Sequence, residues 1–146
     1  RKAGVGMTLR LTEEEMRYMS LFERMTDAVV RDCIEYGGTV VFVVDSGQMG
    51  KAIGKGGANI DRVRRSIDKE VEVVEFSDDE GEFVANAFQP AAIDEVEVVE
   101  ENGGKVAYVD VDDSDKGLAI GKDGENIAKA KELARRHYEF DDVVLN

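Results

Sequence analysis

The sequence predicts an α+β fold built from two tandem copies of one small unit, each a three-stranded sheet covered by helices. Three observations predict it. Nine residues, Ala52-Ile53-Gly54-Lys55-Gly56-Gly57-Ala58-Asn59-Ile60, return as Ala119-Ile120-Gly121-Lys122-Asp123-Gly124-Glu125-Asn126-Ile127, with every shared position 67 residues apart. Around each copy the apolar pattern changes from strand-like alternation to helical spacing and back. The chain has 146 residues and 42% hydrophobic content, enough to give two small units a core rather than leave the chain disordered. The repeat divides the chain into units over residues 1–76 and 77–146.

The elements follow in order. Residues 12–23 read as a helix, with Thr12 and Glu15 forming a capping box and Leu11 and Met16 a hydrophobic staple. Met16, Met19, Leu21, Phe22 and Met25 give its apolar side. Residues 28–35 have helical periodicity, but their counterpart 67 residues on alternates and ends in a hairpin signal, so they are assigned as a strand. Residues 39–44, Thr-Val-Val-Phe-Val-Val, are apolar and β-branched throughout, the pattern of a central strand. Residues 48–53 form a short helix ahead of the glycine turn. Residues 58–68 form a second helix, with Ile60, Val63 and Ile67 at helical spacing. Residues 70–76 alternate as a strand. In the second unit Ser77 and Glu80 suggest another capping box, for a helix that stops at Pro90. Strands over 94–100 and 105–111, a short helix over 114–120, a long helix over 125–138 and a strand over 142–145 complete it.

Composition narrows the function. The net charge is −13. Such acidity gives a strongly hydrated surface, a bias found in proteins of salt-loving organisms. It opposes a general nucleic-acid-binding surface, so any such binding must be local. One Cys and one His exclude an intramolecular disulfide and argue against a zinc site, so no cofactor is expected. No long apolar span or signal-peptide pattern occurs, which predicts a cytoplasmic protein with no membrane partner. Residues 1–6 precede Met7 and read as a tag or an upstream extension.

The glycine turns carry the chemistry. Each joins two helices, and the first N–H groups of the second helix lack intrahelical partners and carry the positive end of its dipole. Glycine removes the Cβ atoms that would keep a polyanion from that backbone. A nucleotide-hydrolase loop fails on spacing: Met49 stands where its first Gly belongs, and Gly56 replaces the metal-binding hydroxyl. Charge is local too. Lys51, Lys55, Arg62, Arg64 and Arg65 oppose only Asp61 around the first turn. Lys116, Lys122, Lys129, Lys131, Arg135 and Arg136 oppose Asp123, Glu125 and Glu132 around the second. Ile53, Ile60, Ile120 and Ile127 either floor a groove for bases or belong to the core. No His–Cys or Ser–His constellation suggests catalysis, so the protein is read as not an enzyme.

Ile53-Gly54-Lys55-Gly56-Gly57 and Ile120-Gly121-Lys122-Asp123-Gly124 resemble the Ile-Gly-x-x-Gly signature of KH domains, and the order of elements resembles their type II topology. Thr26-x-Ala28-x-x-x-Asp32-Cys33, Gly50-x-Ala52-Ile53-Gly54-Lys55, Val71-Glu72-Val73-Val74-Glu75 and Lys116-Gly117-Leu118-Ala119-Ile120-Gly121-Lys122 together resemble archaeal NusA-like transcription factors, over nearly the whole chain. The resemblance implies a single-stranded RNA-binding factor of transcription elongation or termination, with RNA polymerase or its complex as a second partner and a monomeric state. It places RNA contacts at Ile53, Gly54, Lys55, Gly56, Gly57, Asn59, Ile60 and Arg62, and at Ile120, Gly121, Lys122, Asp123, Gly124, Asn126 and Ile127. The asparagines would read sugar or base edges. Asp123 puts an acid in the second turn, so the first unit is expected to bind more tightly. The alternatives are a tandem-KH ribosome-assembly or rRNA-binding protein, and a protein-interaction module on the same scaffold.

Overall fold

A computed structural model describes residues 11–146, and the extension expected over residues 1–6 lies outside them. The first unit comprises α1 (Glu13–Thr26), β1 (Val30–Tyr36), β2 (Thr39–Val44), α2 (Met49–Ile53), α3 (Ala58–Ile67) and β3 (Glu70–Glu75). The second repeats that order as α4 (Glu80–Ala87), β4 (Glu95–Glu101), β5 (Gly104–Asp110), α5 (Asp113–Ile120), α6 (Glu125–Tyr138) and β6 (Asp142–Leu145). Each sheet has three strands, β1-β2-β3 and β4-β5-β6, with an antiparallel hairpin first and a parallel partner after the helical crossover.

The expected capping box starts α1. Thr12 Oγ1 accepts the Glu15 N–H, and Glu15 Oε1 accepts the Thr12 N–H, each at 3.0 Å. The helix runs three residues past the expected 23 and ends at Asp27, in a left-handed conformation with φ 65°. Its core side is Phe22, Met19, Met25 and Tyr18, whereas Met16 stays exposed. The ambiguous segment is a strand, but it begins at Val30, because Asp27 to Val29 make the corner out of α1. The Val29 N–H is held there by Gln48 Oε1 at 3.0 Å. The cap of α4 also differs from expectation. Asp79 Oδ1 accepts the Glu82 N–H at 3.0 Å, while Ser77 Oγ accepts the Asp79 N–H, so Ser77 braces the cap from two residues upstream. That helix ends at Ala87, ahead of Pro90.

The first sheet is buried on both faces, which accounts for the unbroken apolar run of β2. One face carries Cys33, Val40, Phe42, Val44, Val71 and Val73 and packs on its own helices through Phe22, Ala52, Ile60 and Val63. The other carries Ile34, Val41, Val43 and Val74 and joins the core of the second unit, against Phe83, Val84 and Leu133. Burying each such side chain is worth about 1.5–3 kcal/mol, so this junction resembles a domain interior more than a sliding contact.

Among the described residues two acids of the first unit form ion pairs across that junction. Asp32, fully buried, accepts Arg136 Nη2 at 2.8 Å and lies 2.8 Å from His137 Nε2, both from α6. Its Oδ1 also accepts the Cys33 N–H at 2.7 Å. Glu72 accepts Lys129 Nζ at 3.0 Å. The exposed face of the second sheet, by contrast, alternates in acids, with Glu95 and Glu97 on β4. The stacking of sheet on helix therefore does not repeat there.

Cys33 lies inside the first unit, and burial together with nearby Glu15 and Asp32 pushes its thiol up to about 12 from the ordinary 9.0. The folded protein is expected to resist iodoacetamide at pH 8 and to be labelled fully in denaturant, since only the thiolate attacks. Stability should also fall as pH rises through this window, because the unfolded thiol ionises first. Rapid labelling of the native protein would contradict this packing.

Candidate nucleic-acid interface

Both glycine turns have one geometry. Gly54 and Gly121 have φ/ψ of 78°/168° and 81°/170°. Gly56 and Asp123 follow at φ 64° and 56°, and Gly57 and Gly124 at φ 80° and 73°. Gly57 and Gly124 occupy the N-cap positions of α3 and α6, and neither helix has a side-chain cap. Each turn partly caps itself, since the Gly57 and Ala58 N–H groups donate to the Gly54 and Lys55 carbonyls, and Gly124 and Glu125 to those of Gly121 and Lys122. No hydroxyl or carboxylate side chain caps the N–H groups that follow in either helix.

The asparagines after the turns serve the turns themselves. Asn59 Nδ2 donates to the Lys51 carbonyl at 2.7 Å. Asn126 Nδ2 donates to the Ala119 and Phe88 carbonyls at 3.1 and 2.8 Å. A Cβ on Gly54 would lie 2.7 Å from Asn59 Cγ, and one on Gly121 would lie 2.6 Å from Asn126 Cβ. Glycine and asparagine thus form a matched pair in each copy, and the donor ends of both carboxamides are already engaged.

The predicted residues fall into three groups. Lys55, Gly56, Lys122 and Asp123 are exposed at the turns, with Gly54, Gly57, Gly121 and Gly124 half-buried beside them. Ile120 is 43% exposed and Ile53 is half-buried, so both border the surface. Ile60 is 7% exposed and belongs to the core of the first unit, and Ile127 packs partly against the other core, around Phe83 and Leu133. Arg62 Nη2 donates to the Met25 carbonyl at 2.7 Å and so ties α3 to the end of α1.

The two basic islands differ once folded. Around the first turn Lys51, Lys55 and Arg65 are exposed and form no ion pair among the described residues, while Arg64 pairs with Asp61. Around the second, Lys116, Lys131 and Arg135 pair with Asp113, Asp142 and Glu132. Lys129 and Arg136 point into the junction between the units. Burial holds the Lys129 ammonium below the usual lysine range, opposed by the adjacent Glu72. Lys122 alone of that island forms no ion pair among the described residues. The net positive count of the second segment was legible in the sequence, but its partners lie far away in the chain. Sequence reasoning also passed over Leu118, 48% exposed beside the second turn, where the repeat puts Lys51 in the first.

Among the described residues no group of three or more His, Cys, Asp or Glu side chains could hold a metal, and no helix is long and apolar enough to cross a membrane.

Comparison with known proteins gives concordant matches. Residues 16–78 match the family model described as KH domain, and residues 80–143 the one described as NusA-like second KH domain. The chain is similar to the probable transcription termination protein NusA of Halobacterium salinarum, with 46% identity over 139 residues, covering 95% of this chain and 99% of that protein. The protein of the same name from Methanocaldococcus jannaschii is 33% identical over 129 residues, covering 88% of this chain and 70% of that protein. Among solved structures, the crystal structure of APE1850 aligns with a TM-score of 0.77 and 36% identity, over 93% of this chain and all (100%) of that one.

Proposed function

The chain belongs to the NusA family of tandem KH proteins, and we propose that it is a non-enzymatic, single-stranded RNA-binding factor acting in transcription elongation or termination. The observation that carries this reading is the duplicated turn: two helix N-termini without a side-chain cap and with the same backbone angles, one of them ringed by cations without acidic partners. Such a turn offers neutral N–H groups to phosphates, and KH domains clamp about four nucleotides this way. Gly54, Lys55, Gly56 and Gly57 make the stronger contact, supported by Lys51 and Arg65. Gly121, Lys122 and Gly124 make the weaker one, with Asp123 repelling phosphate. Ile53 and Ile120 border the base-binding side. Asn59, Asn126, Arg62, Ile60 and Ile127 hold the turns and helices in place rather than touch RNA. The working unit is a cytoplasmic monomer with RNA and the transcription complex as partners, and its units meet between Phe76 and Ser77.

The test is fluorescence anisotropy with short single-stranded RNA, comparing the unchanged chain with the Lys55→Asp/Gly56→Asp variant. Asp123 already occupies the equivalent of position 56 at φ 56°, so the variant should fold, which circular dichroism would check. Affinity is expected to fall at least about tenfold, or roughly 1.4 kcal/mol. Undiminished binding by the folded variant would remove RNA from the first turn. Binding of protein partners without RNA would favour the interaction-module reading.

A further inference from the structure

The two units line a half-open cavity of about 230 Å³ beside the second glycine turn. Tyr36, Thr39 and Glu72 line it from the first unit, and Leu118, Glu125 and Lys129 from the second. It is smaller than the roughly 300–1,000 Å³ of sites for drug-sized ligands, which suits a single ring system. Its polar groups are of two kinds. Lys129 is 3% exposed and donates to Glu72 Oε1 and to the Gln89 carbonyl, at 3.0 and 2.7 Å. An ammonium has three donors, so one N–H remains without an acceptor among the described residues. The acceptors are the second oxygen of Glu72 and the carboxylate of Glu125, which lies against Gly37 and accepts no hydrogen bond among the described residues. Tyr36 and the half-exposed Leu118 supply apolar walls of the sort on which bases stack.

We propose that this cavity receives one base of a bound RNA strand and selects adenine or cytosine over uracil. The proposal rests on the RNA-binding function above and adds a specificity site to it. Adenine and cytosine each place an exocyclic amine beside an unprotonated ring nitrogen. The amine donates to a carboxylate of Glu72 or Glu125, and the ring nitrogen accepts the remaining Lys129 N–H. Uracil presents a ring N–H flanked by two carbonyls, so its oxygens would face the carboxylates. The cavity needs both units, because Glu72 comes from the first and Lys129 and Glu125 from the second.

The experiment scans one uridine through an oligoadenylate of about ten nucleotides, long enough for two KH units. Anisotropy is measured for the full chain and for the Glu125→Met and Thr39→Phe variants. Glu125→Met removes an acceptor that has no internal partner, and Thr39→Phe fills the cavity without breaking an ion pair. In the unchanged chain one position should lose about tenfold in affinity when it becomes uridine. In both variants that penalty should shrink to within about threefold. A flat scan in the unchanged chain, or a penalty that persists in both folded variants, would overturn the proposal. If the unchanged chain bound none of these RNAs, the RNA-binding function itself would fall, and a flat scan with good affinity would leave that function standing.

Discussion

Replacing Asp32 with Leu is expected to cost about 3–5 kcal/mol of stability, because it leaves Arg136 charged in the junction with no carboxylate beside it. Asp32 is fully buried and meets three donors at once: Arg136 Nη2, the Cys33 N–H and His137 Nε2. The Coulombic gain of such a pair largely offsets the desolvation of its two charges, so its presence adds little net stability. Removing only one partner keeps the desolvation and discards the attraction. In a chain of this size the loss should lower Tm by roughly 10 °C. The Asp32→Leu/Arg136→Met double variant separates the two effects. It should recover a large part of the loss, since a well-packed apolar pair often replaces a buried ion pair at little cost. A loss below about 1 kcal/mol for Asp32→Leu alone would mean that water reaches Arg136 and that the junction is looser than its packing implies.

This junction also marks what the sequence could not reveal. The repeat made both units, their element order and the glycine turns legible, because local period and turn chemistry survive in one dimension. The unbroken run Val40 to Val44 showed that β2 is covered twice, but nothing in it said by what. The second cover is α4 and α6 of the following unit, and its polar contacts join residues 57 and 104 positions apart. Asp32 and Glu72 look like solvent-facing residues of alternating strands until α6 is laid across them. For the same reason the second basic island looked available for RNA, when most of its cations have acidic partners. The asparagines hide a second role on a shorter scale. Their place at the start of a helix suggests a ligand contact, and nothing in the sequence says that their amides also hold the end of the preceding helix.

The Gly54→Ala and Gly121→Ala variants are each expected to lose about 2–4 kcal/mol, through strain plus collision. With φ near 80° and ψ near 170°, both residues sit in a region that only glycine occupies at low cost. The added Cβ would also stand 2.8 Å from the backbone nitrogen of Asn59 or Asn126. A backbone atom cannot rotate aside, so relief would require shifting the start of α3 or α6, and with it the N–H groups that face phosphate. Gly117 provides the contrast. It lies within α5, has open space where a Cβ would go, and lacks the positive φ of Gly121. Gly117→Ala should therefore stabilise the protein by about 0.5–1 kcal/mol through the gain in helix propensity. Urea unfolding of the three variants gives the comparison directly. If Gly54→Ala were as benign as Gly117→Ala, the turn would not need glycine for its shape. If Gly54→Ala weakened RNA binding by no more than its global unfolding explains, the phosphate contact would not depend on that shape either. The expected result is a folded fraction in which first-turn binding is lost while the second unit keeps its own, because Gly121 and Asn126 form a separate copy of the same pair.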